Sequence, residues 1–122
     1  MPTYMTEAKL SEESLAVLSS KPSDRKKEVR KVIDAFGGKL INLYWMFGEH
    51  DIVTLYEAPD DSVAMAILLT LSAGGNVASH RTTILVPNDQ AMKAMRLASS
   101  KRTGYKSLRK EWAGWRDEGG ES

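Results

Sequence analysis

Hydrophobic and polar residues alternate in four short stretches of the chain and follow a helical period between them. The alternating stretches are rich in β-branched and aromatic residues, which favours β-strands. They cover residues 3–9, 39–47, 50–57 and 77–86. Between them, apolar residues recur three or four positions apart, as in helices that bury one face. The order strand, helix, strand, strand, helix, strand is the split βαβ arrangement, which predicts an α+β domain with a four-stranded antiparallel sheet and both helices on one face.

Capping and turn residues divide these stretches at defined places. Ser11 precedes two glutamates and predicts a helix start, because a serine N-cap accepts a backbone N–H and acidic groups favour the first turn. Pro22 interrupts this first helix and separates it into two parts. Glycine pairs at 37–38 and 74–75 predict the helix ends. Gly48-Glu49 predicts the turn of a hairpin between the second and third strands.

Strict alternation assigns the two faces of the predicted sheet. On the second strand, we expect one row of large apolar residues to pack against the helices: Ile41, Leu43, Trp45 and Phe47. We expect the opposite face to mix aromatic, hydroxyl, amide and imidazole groups with a few apolar residues: Asn42, Tyr44, Met46, Ile52, Thr54, Tyr56, His80 and Thr82. Such a face is too apolar for open water and too polar for a core. It therefore predicts a partly buried interface or a lined pocket.

Composition and charge narrow the classes of function. A chain of 122 residues has the length of one domain, and its net charge of +1 argues against bulk nucleic-acid binding. The absence of cysteine excludes disulfides and thiolate metal sites. The N-terminus lacks a basic region followed by an apolar run, so no signal peptide is indicated. We expect a cytoplasmic protein without a stable membrane anchor and without a nucleic-acid partner.

Several short segments, taken in their order and spacing, resemble the GYD family of small bacterial and archaeal proteins. The resemblance covers roughly residues 1–98 and rests on the segments 1–4, 36–39, 44–45, 48–53, 57–61, 75–77 and 81–83. The family is named for a Gly-x-Tyr-Asp turn, and this chain has Gly48-Glu49-His50-Asp51 at that place. The chain therefore departs from the family pattern at His50, and again in an extension after about residue 100.

The resemblance implies a ferredoxin-like fold and a homodimer, or a higher homo-oligomer, in which two sheets face each other as a dimeric α+β barrel. It implies no agreed biochemical activity. The residue pattern agrees with the barrel, because helices on one sheet face leave the other to be covered or polar. Two functions stay open: a small-molecule-binding or protein-interaction module, and a cofactor-independent, monooxygenase-like enzyme acting on a small organic substrate.

Few side chains in this sequence are suited to chemistry at a site. His50 and His80 are the candidate catalytic groups, because imidazole titrates near neutral pH. Their spacing does not pair them as metal ligands, and we expect neither a metal nor a cofactor. The candidate ligand-binding residues are polar or aromatic groups on the predicted strands: Asn42, Tyr44, Thr54, Tyr56 and Arg81.

The C-terminal part of the chain, residues 99–122, is predicted to be a basic, aromatic helical extension beyond a domain at residues 1–98. Apolar residues follow a helical period in 90–98 and again after residue 104. Eight basic residues and one acidic residue lie between Lys93 and Arg116. Such a helix packs on its own oligomer or contacts a membrane, a nucleic acid or a partner protein. The first alternative makes the aromatic stripe an oligomer contact: Tyr105, Leu108, Trp112 and Trp115.

Overall fold

A computed structural model describes residues 1–108 of the chain. The elements within this range are β1 Thr3–Leu10, α1 Glu12–Ser20, α2 Arg25–Ala35, β2 Lys39–Trp45, β3 Ile52–Glu57, α3 Asp61–Ala73, β4 Val77–Leu85 and α4 Asn88–Ser99. The four strands form one antiparallel sheet in the order β2-β3-β1-β4. The predicted ferredoxin-like α+β fold is confirmed, with the interrupted first helix present as α1 and α2. The pairing of two such sheets in a barrel stays a prediction.

Local caps explain where the helices begin and end. Ser11 Oγ accepts the Ser14 N–H at 3.1 Å at the start of α1. At the end of α2, Gly37 adopts a φ of 77°. The Gly38 N–H then donates to the Ile33 carbonyl at 2.9 Å, and the Gly37 N–H donates to the Asp34 carbonyl at 3.0 Å. This is the Schellman arrangement, in which a left-handed glycine returns the chain toward the sheet.

The core lies between the helices and one face of the sheet. One cluster of buried residues joins strands β1, β2 and β3 to α2 and α3: Tyr4, Ile33, Leu40, Tyr56, Ala58, Ala64 and Ile67. A second cluster of Leu10, Leu43 and Ile52 packs against Leu15 and Leu18 of α1. Since β-strand residues of both clusters share one sheet face, α1, α2 and α3 all cover that face. We call it the helix-covered face and its opposite the open face.

The predicted row of apolar residues on β2 is partly wrong. The pairing of β2 with β3 shifts between Leu40 and Asn42, so that Ile41 has no partner on β3 and is 46% exposed. This β-bulge places Leu40 and Leu43 on the same face, although strict alternation would place them on opposite faces. Phe47, which we expected to pack against the helices, is fully exposed beyond the end of β2.

The hairpin between β2 and β3 corrects the expected grouping of residues. Trp45 lies opposite Ile52, and the Met46 N–H donates to the Asp51 carbonyl at 2.9 Å, so the turn is centred on Gly48-Glu49 as predicted. In this register each odd-numbered residue of β2 after the bulge is paired with an even-numbered residue of β3. Paired residues project from the same face of the sheet. Thr54 and Tyr56 therefore share a face with Leu43, and our expectation that they lie beside Asn42 and Tyr44 is wrong.

The chain divides into two compact units, Met1–Val86 and a second unit that begins at Pro87. The second unit contains α4, which corresponds to the helix predicted over residues 90–98. Residues 100–107 contain no helix, so the predicted aromatic helix does not include Tyr105. Trp112 and Trp115 lie outside the described residues. The proposed domain boundary after residue 98 stays a prediction, and no helix among residues 1–108 is long and apolar enough to cross a membrane.

Candidate functional site

Polar side chains on the helix-covered face form a row across three strands. Thr6 on β1 lies directly opposite Thr54 on β3 and Thr82 on β4. Directly opposed residues of an antiparallel pair project from the same face. Two positions earlier on β1, Tyr4 lies directly opposite Tyr56 on β3 and Ile84 on β4. The sequence placed these residues on separate strands, and the strand order brings them together.

Three hydroxyl groups of these rows are joined by hydrogen bonds. Thr6 Oγ1 lies 3.0 Å from Tyr56 Oη and 2.9 Å from Thr82 Oγ1. Thr6 and Tyr56 are buried, whereas Thr82 is exposed. We call these three residues the hydroxyl row. Each hydroxyl both donates and accepts, so the row links the core to a surface position that offers a donor or an acceptor to a bound molecule.

Tyr4 stacks on Tyr56 at the buried end of the hydroxyl row. The ring centroids are 5.6 Å apart, and Tyr4 Oη donates to Asp61 Oδ1 at 2.6 Å. Burial and this bond to a carboxylate raise the pKa of Tyr4 to about 12. Burial also raises the pKa of Tyr56, although hydrogen bonds from Thr6 and Thr82 oppose that rise. Both phenols are therefore neutral near pH 7 and act as hydrogen-bonding groups.

The other candidate ligand-binding residues lie on the open face. Asn42 and Tyr44 pair with Leu55 and Val53, and Asn42 Nδ2 donates to Tyr44 Oη at 3.0 Å. Arg81 forms an ion pair with Glu7, whose Oε1 accepts from Arg81 Nη2 at 2.8 Å and from Arg81 Nε at 3.0 Å. The five candidates are thus divided by the sheet, with Thr54 and Tyr56 on one face and Asn42, Tyr44 and Arg81 on the other.

The two histidines occupy different environments. His50 is buried, at 9% exposure, in the loop between β2 and β3. His80 is exposed on β4, opposite Ala8 and on the same face as Thr82. Within residues 1–108, neither imidazole has a side-chain hydrogen bond or an ion pair. Over the same range, no three His, Asp or Glu residues converge as a metal site would require.

Asp51, beside His50, has a structural role that spacing did not predict. Its Oδ2 accepts the Leu10 N–H at 2.8 Å, and its own N–H donates to the Ala8 carbonyl at 2.9 Å. Asp51 therefore fixes the hairpin loop to the end of β1, 41 positions away in sequence.

Sequence reasoning missed Thr6, Tyr4 and Asp61 as members of the site. The available signal was a threonine at an even-numbered position in three predicted strands, at 6, 54 and 82. That signal becomes meaningful only when the strand register is known.

The candidate oligomer contacts Tyr105 and Leu108 are 73% and 85% exposed in the second unit.

A comparison with known proteins finds a sequence family that matches this chain. The sequence model described as GYD domain matches residues 4–95. No protein with a curated description has a significantly similar sequence. Solved structures with a similar fold include MtbAldR, at 13% identity and a TM-score of 0.46, with 71% of this chain and 53% of that chain covered.

Two further structures of this kind come from named organisms. One is an uncharacterized NIPSNAP domain protein from Burkholderia xenovorans, at 14% identity and a TM-score of 0.41, with 71% of this chain and 94% of that chain covered. The other is an AsnC family transcriptional regulator from Agrobacterium tumefaciens, at 16% identity and a TM-score of 0.47, with 91% and 60% covered. The chain thus spans about half the length of MtbAldR.

Proposed function

The chain belongs to the GYD domain family, and we propose that it is a homodimeric module that binds a small polar organic molecule. The observation that carries this proposal is the hydroxyl row. Its inner members, Tyr56 and Thr6, are held by hydrogen bonds of fixed geometry, and its outer member, Thr82, is exposed. A binding site needs a few oriented polar groups beside apolar surface. The row supplies such groups, and the half-exposed Ile84 beside it supplies apolar surface.

The chemistry of the row indicates the class of ligand. Hydroxyl groups recognise neutral hydroxyl, carbonyl or amide groups, because they both donate and accept without a charge. His80 lies next to Thr82 along the same face of β4 and adds a further polar group. We therefore propose a neutral ligand with at least one hydrogen-bonding group and an apolar part. The enzyme alternative has no specific observation in its favour.

The open face supports the homodimer. Beside the Glu7–Arg81 ion pair, this face carries apolar residues on β1, β3 and β4, none of them fully buried: Met5, Val53, Leu55 and Leu85. Helices α1, α2 and α3 lie on the opposite face, so they leave this apolar surface uncovered. A second copy that pairs through the same surface would remove it from water and close a barrel. The open face is therefore the proposed dimer interface.

Native mass spectrometry of freshly purified protein tests the ligand. We expect a bound mass of a few hundred daltons or less on the wild-type protein, in keeping with small-molecule sites. Thr82→Val removes the exposed hydroxyl with little change in shape and should abolish the adduct. Thr70→Val is the matched control, because Thr70 is also an exposed threonine but lies on α3, outside the hydroxyl row and the open face. A wild-type protein without an adduct, or an adduct that survives Thr82→Val, contradicts the site.

The dimer is tested separately by a charge at the centre of the open face. Leu55→Glu places a carboxylate where the second copy should pack, so the measured mass should fall to that of one chain. Leu69→Glu is the control, because Leu69 is 61% exposed on α3. We expect it to leave the dimer intact. A wild-type monomer at micromolar concentration is incompatible with the proposed interface.

A further inference from the structure

A cleft of about 160 Å³ lies in the first unit, away from the hydroxyl row. Residues of α1, the α1–α2 connection, α2 and the segment before β4 line it. Val17 and Leu18 form an apolar wall, and Ser14, Ser23, Arg25 and Asn76 contribute polar groups. Its volume is smaller than that of sites for drug-sized ligands, which span about 300–1,000 Å³. A ligand of only a few heavy atoms would fill it.

Arg25 is the unusual member of this lining. Its Nε is buried, and within residues 1–108 that atom has no hydrogen-bond partner. A buried N–H without a partner is unfavourable, and native structures almost always satisfy such groups. Arg25 also forms no ion pair with Glu13, although both residues line the cleft. Arg25 therefore lines the cleft without an ion-pair partner among the described residues.

The lining includes further hydrogen-bond donors besides Arg25. Ser14 Oγ accepts from Ser11 Oγ at 2.8 Å and donates to Asn76 Oδ1 at 3.2 Å. This occupies the amide oxygen of Asn76 and leaves its Nδ2 group as a donor. Ser23 adds a hydroxyl. Arg25, Asn76 and Ser23 thus offer donors to a bound anion, and Glu13 places one carboxylate in the same lining.

We propose that this cleft binds a small aliphatic carboxylate. The two carboxylate oxygens match the fork of the Arg25 guanidinium, and the short alkyl chain packs against Val17 and Leu18. Glu13 is exposed at the same cleft, and its negative charge disfavours a doubly charged anion such as phosphate. The site is distinct from the hydroxyl row, and it does not rest on the function proposed above.

Titration of the full chain with sodium propionate, followed by NMR of the arginine Nε–Hε signals, tests the proposal. Sodium chloride keeps the ionic strength constant, and propionamide serves as the uncharged probe of equal shape. We expect the Arg25 signal to shift and saturate with propionate, and to shift little with propionamide. Arg25→Lys keeps the positive charge but removes the fork, and should weaken binding about tenfold, read from backbone amide shifts at the cleft. Arg30→Lys on the exposed side of α2 is the matched control.

Each possible result either supports or overturns the proposed carboxylate site. Saturation by propionate, weakened in Arg25→Lys and retained in Arg30→Lys, supports the site. A linear response without saturation, or an equal response to propionamide, overturns it. So does equal weakening by the two substitutions, because that result indicates general attraction to a basic surface. Inorganic phosphate binding more tightly than propionate would overturn the assigned ligand class.

Discussion

The Tyr4 hydroxyl donates a 2.6 Å hydrogen bond to Asp61 Oδ1, and this bond joins the first strand to the first turn of α3 across 57 positions of sequence. Asp61 follows the N-cap Asp60, whose side chain accepts the Val63 N–H at 2.9 Å. A carboxylate is favoured at a helix N-terminus by the helix dipole. The bond therefore uses a carboxylate that the helix start already favours, and it holds the ring of Tyr4, which stacks on Tyr56.

The raised pKa values of the two tyrosines predict loss of stability at high pH. The pKa of Tyr4 is about 12 in the folded state and about 10 in the unfolded state, so the folded state prefers the protonated phenol. This contribution is fully present below pH 10 and is lost as the pH rises from about 10 to 12. The pKa of Tyr56 is also raised, which acts in the same direction.

Tyr4→Phe should therefore flatten the decrease in unfolding free energy between pH 10 and 12, measured by urea denaturation. At pH 7 the substitution should destabilise the protein by about 1 kcal/mol, because it removes one hydrogen bond to an exposed carboxylate. Tyr105→Phe, at a 73% exposed position, should leave the pH dependence unchanged. An unaltered pH dependence in Tyr4→Phe contradicts the assignment.

Asp51→Ala should destabilise the first unit by about 1–3 kcal/mol, because the Leu10 N–H loses its acceptor at 2.8 Å. Asp51→Asn retains a side-chain oxygen and should recover part of the loss. Glu49→Ala changes an exposed residue of the same loop and should be nearly neutral. Chemical denaturation gives the three values, and hydrogen exchange at Leu10 reports the bond directly. Equal stability of Asp51→Ala and Glu49→Ala contradicts a structural role for Asp51.

Gly38→Ala should also destabilise the fold, by roughly 1–3 kcal/mol, because the close approach of α2 to β3 leaves no room for a methyl group. A Cβ at Gly38 would lie 2.5 Å from the Glu57 carbonyl oxygen and 3.0 Å from Ile33 Cγ2. Gly74→Ala is the matched control, with its nearest contact at 3.6 Å and a helical φ of -71°. Thermal unfolding compares the two, and we expect Gly74→Ala to be neutral or slightly stabilising.

Deletion of residues 103–122 tests the role of the C-terminal aromatic residues. If the open face forms the dimer, the shortened chain should keep the same number of subunits in native mass spectrometry. Tyr105, Leu108, Trp112 and Trp115 would then not be required for assembly. A monomeric product would assign the oligomer contact to this segment, in conflict with the proposed interface.

Local sequence determined the elements of this protein well, because their signals act over short distances. The cap at Ser11, the break at Pro22 and the left-handed glycine at Gly37 each depend on neighbouring backbone groups. The alternation of Ile52, Thr54 and Tyr56 likewise predicted one strand with two distinct faces. The order of elements then left few arrangements, and the split βαβ sheet was one of them.

The tertiary structure decided which faces meet and therefore where the candidate site lies. The β-bulge at Ile41 has no local sequence signature, because it reflects the pairing of two strands rather than the preference of one. Register also decided that Thr6, Thr54 and Thr82 share a row and that Asn42 and Tyr44 lie on the other side of the sheet. A residue 76 positions from its partner, as Thr82 is from Thr6, is placed by the packing of the whole sheet. Such contacts arise from many weak interactions at once, which is why sequence pattern alone did not reveal them.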